Sequence, residues 1–377
     1  MPKTEVEINK EVMATVGSWV QEGTKGFVLG IDIGATNTRI GVTRVGEAAA
    51  DYAILCSFEA DDAAELAAAV AAVGAQLPAP AQACGIDAAG PISEDKQTVV
   101  ITNWPEAHAR TIDIAVLDAR VCPRGRTALL NDLEACCHGI TALSAAAQLG
   151  TYFELLEDAA KPVPARLAPK KHLVMAMGTG LGVGMLLDGA ATRTAGAFTV
   201  LPMELGHTLV THLGTAHKDH ARDEAYLRWL GEKVYGGVHG PEFEDVCSGR
   251  GLAWAYEFAT GGTVAAPKDI AQGAVRGDAA AERAMLLHYR FLLRAAQNTC
   301  VGLQTKGVIL CGDNQVHNHA FVRAHAPELI AEFLHHPKQN GPAGHRWLED
   351  IPIFIQKKSV NANMIGCVAV ASSIASA

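Results

Sequence analysis

Charge and aromatic character are scarce in this chain. Lys, Arg, Asp and Glu make up 19% of its 377 residues, and aromatic residues 6%. The charge present leans acidic, with 31 Lys and Arg against 40 Asp and Glu and a formal net charge of −9. No long Lys/Arg run occurs, which argues against a nucleic-acid or anionic-membrane surface. No apolar stretch of about 18 residues is free of charges and turns, so no membrane-spanning helix is expected. Met1–Gln21 lacks the charged start and apolar stretch of a secretory signal. Its Val6, Ile8, Val12, Met13, Val16 and Trp19 predict an amphipathic helix instead. The nine cysteines contain no Cys-x-x-Cys pair, so reduced thiols are expected. His317-Asn-His319 and His335-His336 lack the company of a zinc cage and read as surface histidines. The P-loop pattern of two spaced glycines followed by Lys-Ser/Thr is also missing. Apolar residues, in contrast, reach 49%, enough for real cores, and the length predicts two domains.

Two glycine-threonine turns dominate what is there. Phe27-Val-Leu-Gly-Ile-Asp-Ile-Gly-Ala-Thr-Asn-Thr-Arg-Ile-Gly-Val42 and Leu173-Val-Met-Ala-Met-Gly-Thr-Gly-Leu-Gly-Val-Gly-Met-Leu-Leu187 each read as buried strand, tight turn and second strand. Such turns bare backbone N–H groups, as a phosphate chain requires. Gly178 to Gly184 places Gly at every second position and leads into a strand, so a Rossmann dinucleotide site is disfavoured. Asp32 ends a buried strand, where a carboxylate is costly unless it meets a cation such as Mg²⁺, directly or through water. Elsewhere, strands near Tyr52–Phe58, Gln82–Pro91, Val99–Pro105, Ala128–Asp132, Val308–Cys311 and Ile351–Gln356 alternate with helices at Asp61–Ala79, Leu133–Gln148, Gly251–Thr260, Pro267–Arg276, Ala279–Thr305 and Asn361–Ala377. Ala159–Lys171 and Gly231–Pro241 read as loops. Alternation of this kind is an α/β pattern.

The first turn resembles the first phosphate motif of the sugar-kinase, heat-shock-protein-70 and actin superfamily, and Met177-Gly-Thr-Gly180 resembles the second. Gly312-Asp-Asn-Gln315 sits where that fold has its adenosine motif, although Asp313 stands where a second glycine is frequent. Gly90-Pro-Ile, Thr102-Asn-Trp104, Leu130-Asn-Asp132, Pro202-Met-Glu-Leu-Gly-His207, Glu244-Asp-Val-Cys-Ser-Gly-Arg-Gly-Leu252 and Asp350-Ile-Pro-Ile353 follow in the order of the bacterial-type glucokinases, a group that also occurs in some protists. The resemblance runs from about residue 27 to 370. The related repressor and open-reading-frame kinase family carries a cysteine zinc motif after its Glu-x-Gly-His. Thr208–Arg222 here has no cysteine, so zinc and that subfamily are not expected.

The resemblance implies a two-domain actin-like ATPase (ribonuclease H-like) α/β fold with a cleft between a small and a large domain. It divides the chain into an N-terminal helical extension at 1–25, a small domain at 26–131 plus 360–377 and a large domain at 132–359. It implies ATP-dependent phosphorylation of D-glucose to glucose 6-phosphate at the entry to glycolysis, with ATP and Mg²⁺. Asn103, Asp132, Glu204, His207 and Glu244 would contact glucose. Asp32, Gly34, Ala35, Thr36, Asn37, Thr38, Gly178, Thr179, Gly180, Gly312 and Asp313 would hold the nucleotide, Asp32 also serving Mg²⁺ through water. The five sugar-facing residues also make sense unaided, because sugar hydroxyls each donate and accept and need carboxylates, amides and imidazoles held rigidly. Asp132 is the expected base: a carboxylate at a helix N-terminus stays ionised, and phosphoryl transfer needs its attacking hydroxyl positioned and its proton accepted late. Arg39 and Arg250 are within conceivable reach of phosphate. A kinase for another hexose or amino-sugar, one with another phosphoryl donor, and a non-catalytic sugar sensor remain the alternatives. The sequence leaves the oligomeric state open, a homodimer being common in the family the chain resembles; the cytosol is the expected location, since Ala375-Ser-Ala377 is not a peroxisomal signal, with a peroxisome-like organelle the alternative.

Overall fold

The computed structural model describes residues 6–23, 26–34, 37–102, 104–106, 108–189, 198–210, 217–336 and 347–377. The chain divides into two compact units, 1–149 with 165–167 and 360–377, and 150–164 with 168–359. In chain order the elements are α1 (Lys10–Gln21), β1 (Phe27–Ile33), β2 (Thr38–Arg44), β3 (Ala53–Phe58), α2 (Ala63–Gln76), β4 (Cys84–Ala88), β5 (Thr98–Val100), β6 (Thr111–Asp113), β7 (Thr127–Asn131) and α3 (Asp132–Ala145). Then follow α4 (Leu149–Tyr152), β8 (Phe153–Leu155), β9 (His172–Met177), β10 (Leu181–Asp188), β11 (Phe198–Met203), α5 (His220–Tyr235), α6 (Phe243–Cys247), α7 (Gly249–Thr260), α8 (Pro267–Val275) and α9 (Ala279–Leu303). The last are β12 (Val308–Cys311), α10 (Asp313–His317), α11 (His319–Ala324), α12 (Ala326–Leu334), β13 (Ile353–Gln356) and α13 (Ala362–Ser376).

The first unit is built on a sheet of order β3-β2-β1-β4-β7. β1 and β2 form the expected hairpin, β3 adds antiparallel, and β4 and β7 run parallel to β1. All five residues of β4 are buried, as suits a central parallel strand. Helix α2 starts where Asp62 accepts the Ala64 N–H at 2.7 Å, and buries Leu66, Ala69, Val70 and Val73 at helical spacing. Helix α13 packs on β1 and β4 and crosses α3 closely. A Cβ at Gly139 would strike the Ala362 carbonyl, and one at Gly366 the Ala135 carbonyl. Only glycine permits that approach. The crossing locks α3 into the first unit, so the unit extends to Leu149 rather than ending at 131.

The N-terminal segment differs from its expected form. The helix begins at Lys10 because Asn9 caps it, accepting the Glu11 and Val12 N–H groups at 3.1 and 3.2 Å. Ile8 is extended and bridges Cys56 beside β3, and Val16 is fully buried. The segment therefore belongs to the core of the first unit.

In the second unit the sheet runs β11-β10-β9-β12-β13-β8. Arg290 and Arg294 of α9, both buried, pair with Asp223 of α5 and Glu332 of α12, tying three helices together. The Gly231–Pro241 stretch is not all loop. Gly231 lies buried inside α5, and the helix ends only at Gly236, whose φ of 58° suits the left-handed cap.

Candidate functional site

Three parallel strands of the first unit end in acids. Asp32 on β1 pairs in register with Asp87 on β4, and β7 runs directly into Asp132, the first residue of α3. The carboxyl edge of parallel strands is where α/β sheets bind ligands. Asn131 caps α3, its Oδ1 accepting the Leu133 N–H at 3.0 Å. Asp132 Oδ1 accepts the same N–H at 2.9 Å, which fixes the half-buried carboxylate on the helix end.

Asp32 is already compensated electrostatically. Asn361 Nδ2 donates to its Oδ2 at 2.6 Å, and Arg39 Nη1 stands 3.6 Å away. Burial alone therefore does not demand a metal there. Asn361 is itself fixed, its Oδ1 accepting the Met364 N–H at 2.9 Å as the cap of α13. Asp87, which the sequence reading passed over, is 1% exposed. It accepts from Asn363 Nδ2 at 3.0 Å and Cys367 Sγ at 3.3 Å. Burial, and then the charge of Asp32, push its carboxyl well above the usual carboxylate range.

The first turn is partly closed on itself, because the Gly34 N–H donates to the Asn37 carbonyl at 3.1 Å. That N–H is not bared as expected. Asn37 is exposed at the tip. Thr38, expected among the nucleotide-holding residues, opens β2 with its side chain fully buried on the same face as Ile40 and Val42. Ala35, Thr36 and Asn103 lie outside the described residues, as do 211–216 of the Thr208–Arg222 stretch.

The second turn has a different construction. The Gly178 N–H donates to the Gly180 carbonyl, and the Gly178 carbonyl accepts from Gly249, both at 2.9 Å, leaving Thr179 exposed at the tip. Glu244 Oε2 accepts the Leu181 N–H at 3.0 Å. A Cβ at Gly180 would come within 2.5 Å of that oxygen, so glycine is required for the carboxylate to lie against the turn.

Beside it, a short helical turn at Leu205–His207 presents His207. Nδ1 stands 2.8 Å from Glu242 Oε2 and Nε2 3.9 Å from Glu204 Oε2. The hydrogen bond to Glu242 raises the His207 pKa above its ordinary value, reinforced by the charges of Glu244, Glu242 and Glu204. Asp245 anchors α6, accepting from the Glu242 N–H at 2.9 Å and the Tyr235 hydroxyl at 2.8 Å. Arg250 stands 3.7 Å from Asp245 and over the Trp254 ring. In the third motif, Gly312 adopts φ 100° and its N–H donates to Gln356 Oε1 at 2.8 Å. Asp313 opens α10 and accepts the Ser359 hydroxyl at 3.2 Å.

Among the described residues no group of three His, Cys, Asp or Glu could cage a metal ion. A single carboxylate ligand such as Asp32 does suit Mg²⁺, which keeps most of its waters and leans on substrate phosphates.

A model of the glucokinase family matches residues 29–374. Glucokinase 1 of Trichomonas vaginalis is 31% identical over 379 residues, 97% of this chain and 98% of that protein. The crystal structure of glucokinase from Balamuthia mandrillaris in complex with glucose shares 34% identity with a TM-score of 0.83, covering 97% of this chain and all of that one (100%). The crystal structure of Leishmania braziliensis glucokinase, at 22% identity and TM-score 0.79 over 97% of each chain, has the same fold.

Proposed function

The chain belongs to the glucokinase family, and from that premise we propose that it transfers the terminal phosphoryl group of ATP to the 6-hydroxyl of D-glucose. Asn103, Asp132, Glu204, His207 and Glu244 are the residues assigned to the sugar hydroxyls. Asp132 orients the attacking hydroxyl and takes its proton as the bond to phosphorus forms. The Gly34–Thr38 and Gly178–Gly180 turns carry the phosphates, with the tips at Asn37 and Thr179 the accessible part of each, and Gly312-Asp313 faces the adenosine. Asp32 would hold Mg²⁺ through water, and the ion when bound neutralises charge on the phosphates.

The observation that carries this reading is the hydrogen bond from the Leu181 N–H to Glu244 Oε2. It fastens a carboxylate suited to sugar hydroxyls directly onto a phosphate-type turn, which is what a sugar kinase needs and a plain nucleotide switch does not. A coupled assay scanning hexoses against ATP, ADP and polyphosphate tests it. Glucose with ATP should give the highest kcat/KM; a different sugar or donor exceeding it would overturn the assignment.

A further inference from the structure

Glu242 takes no part in the set of residues assigned to glucose, yet it makes the shortest polar contact of His207, at 2.8 Å. We infer that Glu242 is a positioning residue: it holds the His207 ring through Nδ1 so that Nε2 is presented to a sugar hydroxyl. The inference rests on the glucokinase reading for the identity of that hydroxyl's owner, but the pairing itself is a matter of geometry.

A carboxylate only accepts hydrogen bonds, so Nδ1 must carry the hydrogen. In the neutral ring this leaves Nε2 as a bare acceptor; in the charged ring Nε2 donates. Either way the ring plane is set from the Glu242 side. Nε2 is 3.9 Å from Glu204 Oε2, beyond hydrogen-bond distance, and Glu204 is 89% exposed and makes a poor anchor. Glu242 is the better one. Its side chain is only 23% exposed, its N–H is bonded to the buried Asp245, and it bridges Leu209 two residues beyond His207. Glu242 caps α6, the helix that also carries Glu244. One short helix thereby orients two sugar-facing side chains, His207 through Glu242 and Glu244 through the Leu181 N–H. The acids facing the ring are Glu204 beside it, Glu242 at the cap of α6 and Glu244 on that helix.

The test compares the full-length wild type with E242A and E242Q, using steady-state kinetics and ¹⁵N-histidine NMR, with His207 assigned by its absence from H207Q. Gln keeps an acceptor for the Nδ1 hydrogen but lacks the charge. E242A should raise KM for glucose about tenfold, the usual scale for stranding a buried or oriented polar group, while KM for ATP stays within about twofold. E242Q should recover glucose KM to within about threefold of wild type. The NMR spectrum should show the Nδ1–H tautomer in wild type, with the His207 titration moved to lower pH in E242Q. Unchanged glucose KM in E242A, an equal rise in both KM values, E242Q no better than E242A, or an Nε2–H tautomer in wild type would each overturn the inference. If E242A does not fold, E242Q and the wild-type tautomer decide alone. A wild type that does not phosphorylate glucose would defeat the functional reading, while the tautomer would still decide the pairing.

Discussion

The two units share one sheet plan and differ in what it carries. In β3-β2-β1-β4-β7 and in β11-β10-β9-β12-β13, a long hairpin gains a third antiparallel strand on one side and two parallel strands on the other. The third, fourth and fifth strands of the first plan lead to Asp32, Asp87 and Asp132. Their counterparts in the second end at Met177, Cys311 and Gln356. The second unit draws its acids from elsewhere, from α6 and the turn at 205–207. A common backbone frame thus supplies a hairpin turn twice, and chemistry is added at different places on each copy. The first unit is charged at its strand ends; the second is charged around its turn.

This contrast can be broken experimentally, and the sharpest test is at Asp132. Asp132→Ala should lower kcat roughly 10²–10⁴-fold with glucose and ATP. A loss under about threefold would remove the base from the first unit.

Acid should act on the second unit first. Burial lowers the His288 pKa to about 4, and its Nδ1 lies 2.8 Å from the Val246 carbonyl. The unfolded ring takes its proton near pH 6.5, before the folded one. This contribution is therefore complete above pH 6.5 and is lost as pH falls to about 4, on the order of 3 kcal/mol in all. Hydrogen exchange corrected for intrinsic rates should show α9 losing protection across that window ahead of α2; simultaneous loss would erase the distinction.

Gly180→Ala probes the turn. Pushing Glu244 off the Leu181 N–H should raise the KM values for glucose and for ATP together, each by about tenfold, as expected for a stranded hydrogen-bond partner. A change in only one would separate sugar from nucleotide in the second unit. The smallest effect belongs to Asp32→Asn. It should raise the Mg²⁺ concentration for half-maximal activity several-fold, roughly the worth of one charge near a hydrated ion, with ATP affinity at saturating Mg²⁺ little altered. Identical Mg²⁺ titrations would show that Asp32 does not serve the metal.

The strands, the long helices and the two turns were legible because period-2 and period-3.6 patterns and glycine punctuation are local signals. Asp32 and Asp132 stood out as acids at strand ends. Asp87 did not: it sits inside Cys84-Gly-Ile-Asp-Ala88 and looks like a stray polar residue in a buried strand. An ionisable side chain in so apolar a run was itself the missed signal, since burial must be compensated by partners such as Asn363, 276 residues away. Glu242 was hidden by its neighbour Glu244 and by its role as a helix cap; its bond to His207 spans 35 residues and leaves no local trace. Gly231 misled because glycine density suggests a loop, whereas it lies buried within α5 against the His239 carbonyl and Pro241. Thr38 misled because its place in the hairpin register, not its hydroxyl, decides where it points.

The crossing of α3 and α13 also bears on how the chain comes into being. The first unit's central strands and α3 lie within the first 149 residues, but the helix that covers β1 and β4 is made of residues 362–376. Met364, Val368 and Ala371, all fully buried, complete a core begun by Val28 and Ala83. A ribosome moving from the N-terminus therefore exposes one face of the first sheet throughout synthesis of the second unit. The first half to be made is the last to be finished, and a chain cut before residue 362 would leave it apolar and open.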